Sequence, residues 1–165
     1  MVLIGMMGVG KSTVGRNLAV ALKKVFFDSD REIERNCGAS ISWIFDVEGE
    51  AGFRKRESEA ISNICLGENI VLATGGGAVV SEGNRRTLSD FGYVVFLSGS
   101  VDLILSRTEH DKSRPLLQGS DRAETISRLL SERTPYYSRL ADLTLDVAHL
   151  GIEKTVNSII DFTGR

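Results

Sequence analysis

Cysteine is scarce in this chain of 165 residues: the two present, Cys37 and Cys65, fall in no metal-binding or redox spacing. That excludes a disulfide scaffold and a zinc knuckle, and it reads as free thiols in a reducing cytoplasm. No apolar run approaches the about 20 residues that a membrane-spanning helix needs. No secretory leader is expected either, because the first apolar segment is too short for one. Met1 stands one residue ahead of that segment, so the natural chain could carry a few residues before it. Positive charge is not in excess: 20 Lys and Arg against 22 Asp and Glu leave a net charge of −2, which argues against nucleic acid as a partner. There are only two prolines and no biased segment, so disorder is not indicated. His110 and His149 each stand alone, and no Ser/His/Asp or Cys/His set suggests a covalent nucleophile. An N/T-K-x-D guanine-reading motif is missing as well, against a GTPase switch.

What is present begins at residues 5–13, GMMGVGKST, which match G-x-x-x-x-G-K-[ST] at Gly5, Gly10, Lys11 and Ser12. Glycines let the backbone turn tightly and present its N–H groups as an anion nest. The N-terminus of the following helix adds unpaired donors and partial positive charge. Gly8, Val9, Gly10, Lys11, Ser12 and Thr13 are therefore the expected ATP contacts. Lys11 is expected to reach the β- and γ-phosphates, and the Ser12 hydroxyl to ligate Mg²⁺. The context agrees: an apolar strand at 2–4 precedes the loop, and Val14, Leu18, Ala21, Leu22 and Val25 recur after it at helical spacing.

Further along, apolar segments suited to strands alternate with helical patterns, which predicts a parallel sheet covered on both faces. Helix one is expected over 11–24 and a strand over 25–27, ending in Asp28-Ser29-Asp30. In open α/β sheets the chemistry sits at the carboxyl ends of strands. Asp28 and Asp30 are thus candidates for Mg²⁺ handling and hydroxyl activation, or one of them simply caps the helix at 31–37 that Gly38 closes. Ser40 caps a short helix at 41–47, which ends at Gly49-Glu50. A longer helix then places Phe53, Ala60, Ile61 and Ile64 on one face and ends at Gly67. Residues 31–67 make a large insert between two strands, of the kind that binds a second substrate. Within it Arg54 and Glu57 stand one turn apart, either as an ion pair on a solvated face or with Arg54 as an anion clamp.

A strand at 70–74 runs into Gly75-Gly76-Gly77, where many nucleotide hydrolases place an acidic residue. Three glycines let a ligand press against bare backbone. A helix capped by Ser81, a strand at 93–97 and a helix capped by Ser100 and ending near Arg107 follow. Residues 108–120 are polar and without period, a length of irregular chain that suits a lid carrying Arg114; His110 reads as a solvated loop residue. Asp121 and Glu124 open the next helix as a capping box, with Ala123, Ile126, Leu129 and Leu130 inward and Arg133 near its end beside Pro135. A strand at 143–147 and a helix at 152–162 complete the chain, with His149 alone between them.

Taken together, GMMGVGKST, DSD at 28–30, the GE-AGF-R-KRE pattern at 49–57, GGG at 75–77, RPLL at 114–117 and ER-TPYY at 132–137 resemble the shikimate kinase family over almost the whole chain. The resemblance implies an α/β, single-domain P-loop NTPase of the nucleoside-monophosphate-kinase kind spanning 1–165. It implies a five-stranded parallel sheet in the order 2-3-1-4-5. The activity implied is transfer of the ATP γ-phosphoryl group to the 3-hydroxyl of shikimate with Mg²⁺. A cytoplasmic monomer is expected besides, since the thiols read as free and nothing in the sequence implies a large apolar interface. Asp30 then resembles the residue that bonds the reacting hydroxyl and acts as base, and Asp28 the carboxylate that holds Mg²⁺ through water. Arg54 and Arg133 resemble the pair that grips the acceptor carboxylate, and Gly76, between Gly75 and Gly77, the glycine whose N–H meets the acceptor. Phe45, Phe53 and Glu57 fall where that pocket is lined and braced. Arg107 matches a residue stacking on adenine, and Arg114 a lid arginine that joins Lys11 in neutralising charge. One departure is the 148–151 loop, Ala-His-Leu-Gly, where Leu150 cannot supply the cationic stack that some members place near adenine.

Overall fold

The structure is a computed structural model that describes residues 1–109 and 121–164. Its centre is a sheet of five strands: β1 (Val2–Ile4), β2 (Val25–Asp28), β3 (Ile70–Ala73), β4 (Val94–Ser98) and β5 (Leu143–Asp146). Every pairing is parallel and the order is β2-β3-β1-β4-β5. β1 and β3 are buried throughout and β4 for all but its last residue, as strands covered on both faces must be. The two edges are half exposed, and in β5 Leu143 and Leu145 alternate with the exposed Thr144 and Asp146.

Seven helices among the described residues cover the faces: α1 (Lys11–Leu22), α2 (Ser29–Cys37), α3 (Ile41–Ile64), α4 (Glu82–Phe91), α5 (Val101–Thr108), α6 (Arg122–Leu140) and α7 (Ile152–Thr163). From β1 the chain crosses to one side of the sheet, and from β3 to the other. The strand order therefore reverses between β1 and β3, and a crevice opens at their carboxyl ends. The phosphate loop leaves one of these strands and the triple glycine the other.

Several boundaries and faces differ from expectation, each for a local reason. α2 starts at Ser29 because the Asp28 carboxylate accepts from the Asp30 and Arg31 N–H groups at 3.1 and 3.4 Å, so Asp28 is the cap. α1 buries Gly15 and Ala19 beside Val14 and Leu18, while Ala21 is exposed. A Cβ at Gly15 would stand 2.5 Å from the Phe26 ring, so the helix lies against the sheet where its side chains are smallest. Ala123 likewise faces solvent, and the buried stripe of α6 is Ile126, Leu129, Arg133 and Tyr137. That helix does not stop at Pro135 but runs on to Leu140. The continuation buries Tyr137 completely, its ring stacked on Phe96 at 4.9 Å, and that packing outweighs the backbone bond a mid-helix proline removes. α3 breaks at Gly49, with φ 69° and ψ −179°, where a turn was expected, and it ends at Ile64 rather than Gly67. After the glycines a 3₁₀ turn, Ala78–Val80, was not anticipated.

The insert has its own small core of Ile33, Ile44, Phe53 and Ala60, apart from the main cluster around the sheet. No helix among the described residues is long and apolar enough to cross a membrane.

Gly5 leaves β1 at φ +140°, and a Cβ there would meet the Leu97 carbonyl oxygen at 2.3 Å. Backbone cannot yield as a side chain does, so Gly5→Ala is expected to lower the unfolding free energy by about 3 kcal/mol, read as a shift in the urea midpoint at unchanged slope.

Candidate active site

The phosphate loop takes its shape from glycines in left-handed conformations. Gly8 has φ +78° and Gly10, the N-cap of α1, φ +100°. No side chain caps this helix, so its first N–H groups open toward the cleft as an anion site. Lys11 is nearly buried, and its ammonium donates to the Gly5 and Met6 carbonyls at 2.8 Å each. The Ser12 hydroxyl donates to Asp28 Oδ2 at 2.5 Å. One carboxylate thus caps α2 with one oxygen and meets the phosphate loop with the other. Arg107, at the end of α5, donates to the Val9 carbonyl at 2.9 Å and reaches that of Gly8 at 3.4 Å. The guanidinium therefore braces the loop in addition to lining the cleft.

A single cleft of about 970 Å³ runs from this loop to the insert. Gly8, Val9, Gly10, Lys11, Ser12, Thr13, Asp28 and Arg107 lie along one end. Asp30, Phe45, Phe53, Arg54, Glu57, Gly75, Gly76, Gly77 and Arg133 lie along the other. Every sequence-selected site residue is on this wall except Arg114, which falls outside the described residues, as does His110.

Arg54 and Glu57 form an ion pair at 2.8 Å, and Arg54 also meets Glu50 at 3.0 Å. A solvated helix face is not their setting: the Glu57 side chain is 1% exposed. Burial raises the pKa of Glu57 above its ordinary value, while the charges of Arg54 and Arg133 pull it back down. Glu57 Oε1 and Arg133 Nη1 are buried with no hydrogen-bond partner among the described residues. Buried polar atoms normally have partners, so two such atoms on a cleft wall mark where a polar ligand would bind. The Arg54 guanidinium lies over the Phe53 ring at 5.2 Å, and Phe53 packs on Phe45 at 4.8 Å.

The glycines are there because nothing larger fits. A Cβ on Gly75 would stand 2.6 Å from Asp30 Oδ1 and 2.7 Å from Glu57 Oε1. One on Gly77 would stand 2.4 Å from the Arg54 guanidinium, and one on Gly76 would approach the Met7 nitrogen at 3.1 Å.

Ser29 and Tyr137 stand within the DSD and ER-TPYY motifs, but the sequence assigned them no role of their own. Ser29, fully buried between the two aspartates, accepts the Gly75 N–H at 2.9 Å. Tyr137 donates to the Gly76 carbonyl. The second had a visible signal, an aromatic residue one turn beyond Arg133. Val147, Leu150, Ile152 and Thr155 also line the loop end of the cleft. His149 lies on the surface, 86% exposed.

One end of the cleft can thus cradle a polyphosphate, and the other can hold a small anion with polar substituents, Asp30 standing at the acceptor end. Comparison with known proteins agrees. The model of the shikimate kinase family matches residues 7–163. A shikimate kinase of Chromohalobacter salexigens is 48% identical over 99% of this chain and 91% of its own length. One of Chromobacterium violaceum is 46% identical over 96% and 86%. The solved shikimate kinase of Acinetobacter baumannii, in complex with shikimate, superposes with a TM-score of 0.96 at 43% identity, covering 98% of this chain and 90% of that one.

Gly77→Ala is expected to push the Arg54 guanidinium off Glu57. It should lower the unfolding free energy by about 1–3 kcal/mol, measured by urea denaturation. The break should be visible crystallographically as a changed Arg54 rotamer.

Proposed function

The chain belongs to the shikimate kinase family, and from that membership we propose the residue-level account of its reaction that follows. The enzyme transfers the γ-phosphoryl group of ATP to the 3-hydroxyl of shikimate, giving shikimate 3-phosphate in the biosynthesis of chorismate and the aromatic amino acids. The observation that carries the account is the juxtaposition in one cleft of a phosphate loop with two arginines and a buried carboxylate at the acceptor end.

ATP lies with its phosphates over residues 8–13, where backbone N–H groups and Lys11 neutralise them. Arg107 holds the loop from behind and offers its face to the base. The acceptor carboxylate lies between Arg54 and Arg133. Guanidinium forks suit a carboxylate, and an anion there gives the buried Arg133 Nη1 its partner. Glu57 keeps Arg54 in place, the rings of Phe45 and Phe53 wall the pocket, and the Gly76 N–H meets the acceptor ring between Gly75 and Gly77. Asp30 accepts the proton of the reacting hydroxyl. Because phosphoryl transfer is limited mainly by positioning and charge, no nucleophilic side chain is needed.

Mg²⁺ fits the donor set. Ser12 and Asp28 put a hydroxyl and a carboxylate oxygen together beside the loop. No group of three or more His, Cys, Asp or Glu side chains gathers elsewhere among the described residues. A cation held by few protein oxygens, with water and phosphate completing its shell, is the usual arrangement for magnesium. When bound it neutralises phosphate charge.

Residues 1–165 act as one kinase domain, with 31–67 as the acceptor-binding insert and 108–120 as a lid. The lid, and Arg114 within it, rests on the sequence alone. The enzyme works as a cytoplasmic monomer without nucleic-acid or membrane partners, which suits two free thiols and a net charge of −2.

ADP release with ATP–Mg²⁺ tests the account when shikimate is compared with quinate, gluconate and no acceptor. Release only with shikimate supports it, and release regardless of acceptor contradicts it. In the same assay Arg133→Ala should raise the KM for shikimate by about two orders of magnitude, since a buried charge loses its partner, and leave that for ATP little changed. Asp30→Asn should lower kcat by roughly 10²- to 10⁴-fold while ATP still binds. Turnover near that of the wild type would remove Asp30 from the chemistry.

A further inference from the structure

Tyr137 is the largest fully buried side chain among the described residues, and the reaction as described gives it no part. Its ring needs no hydroxyl to pack: it is stacked on Phe96, with 23° between the planes, and phenylalanine would fill the same space. Burying a hydroxyl is costly unless it finds a partner. Here it donates to the Gly76 carbonyl.

We propose that Tyr137 is a positioning residue for the acceptor, holding the Gly76 peptide in register with Arg133; the proposal rests on the shikimate reading of the site. Three successive glycines are the loosest backbone a turn can have. Neighbours restrain this one: Ser29 takes the Gly75 N–H at 2.9 Å, and Asn84 donates to the Ala78 carbonyl at 3.0 Å. Tyr137 is the side chain that bonds the Gly76 carbonyl. No cis peptide occurs among the described residues, and a trans peptide carries its C=O and N–H on opposite sides. A bond on the Gly76 carbonyl therefore sets the tilt of the Gly76–Gly77 peptide and directs the Gly77 N–H away from Tyr137. It also limits the swing of the Gly76 Cα, and so narrows the play in where the adjoining Gly76 N–H lies.

The bond reaches across from α6. Tyr137 stands four residues after Arg133, so both project from one face of that helix, and both are buried. The same rigid turn thus carries the group that grips the acceptor carboxylate and the group that fixes the backbone beside the acceptor ring. The Arg133 guanidinium acts on the phenol both by its charge and by a side-chain hydrogen bond, so Tyr137 ties the gripping arginine to the Gly76 peptide. Burial, the larger influence, holds the Tyr137 pKa above its ordinary value, so the hydroxyl remains a donor throughout the working range of pH.

Tyr137→Phe is the test, read beside the wild type in the ADP-release assay. The expected result is a rise of about tenfold in the KM for shikimate, with that for ATP unmoved, as the loss of one buried hydrogen bond predicts. Phe96→Leu serves as the packing control, since it loosens the same stack without touching the hydroxyl. It should lower the thermal midpoint and leave the ratio of the two KM values as in the wild type. An unchanged shikimate KM in Tyr137→Phe overturns the proposal, and so does a parallel rise in both KM values. Should Tyr137→Phe fail to fold, 3-fluorotyrosine placed at position 137 gives a ¹⁹F resonance. It should move when shikimate is added and stay put with ATP–Mg²⁺ alone; a resonance indifferent to shikimate overturns the proposal equally. Wild-type enzyme that releases ADP without regard to shikimate would instead overturn the parent reading, a result distinct from either.

Discussion

The two turns that leave β1 and β3 lie so close that even a methyl group between them would crowd the backbone. A Cβ on Gly76 would come within 3.1 Å of the Met7 nitrogen and 3.5 Å of the Gly5 carbonyl oxygen. This contact sits where the strand order of the sheet reverses, the place at which an open parallel sheet leaves a crevice. Bare backbone on both sides has two consequences. The phosphate loop can turn its N–H groups toward an anion, and the facing turn can bring acceptor groups within reach of it. The remaining site residues are arranged around that junction: Asp28 and Ser29 reach it from the end of β2, Arg107 from α5, and Arg133 and Tyr137 from α6.

Charge is handled differently at the two ends of the cleft. At the loop end Lys11 rests on two backbone carbonyls and Ser12 on a carboxylate, arrangements that suit exchange for phosphate and metal contacts. At the other end a buried carboxylate and the buried Arg133 stand together with the half-buried Arg54. Such a cluster is a poor source of stability, because desolvation offsets most of the attraction. Its value is geometric: Glu57 keeps one guanidinium aimed while Arg133 retains a buried atom without a protein partner. Phe53, the neighbour of Arg54 in the chain, belongs to the separate core of Ile33, Ile44, Phe53 and Ala60 that anchors this part of the insert.

How much of this was legible in the residues follows the range of the interactions. The phosphate loop, the caps at Ser40, Ser81, Ser100 and Asp121, the break near Gly49 and the strand order could be anticipated, the last from family resemblance. Local chemistry or a whole motif carries each of them. The faces of α1 and α6 were assigned by counting apolar residues, and Ala21 and Ala123 were placed inward. An alanine is small enough to belong to either side, so only the packed sheet decides. The sequence suggests an end to α6 near Arg133 and Pro135, and a mid-helix proline ordinarily costs about 3 kcal/mol. The burial of Tyr137 against Phe96, 41 positions earlier in the chain, was invisible from that stretch.

The Arg54–Glu57 pair shows the same division. An i, i+3 spacing states that two side chains can meet and says nothing about whether water surrounds them. The sequence by itself determined the class of chemistry, through glycines, a lysine and hydroxyls at spacings that only a phosphate site requires. Tertiary structure decided which groups are dry, which carbonyl each donor meets, and how far apart the residues of the cleft stand. Dryness and distance depend on segments that the chain order keeps apart and only the folded sheet brings together.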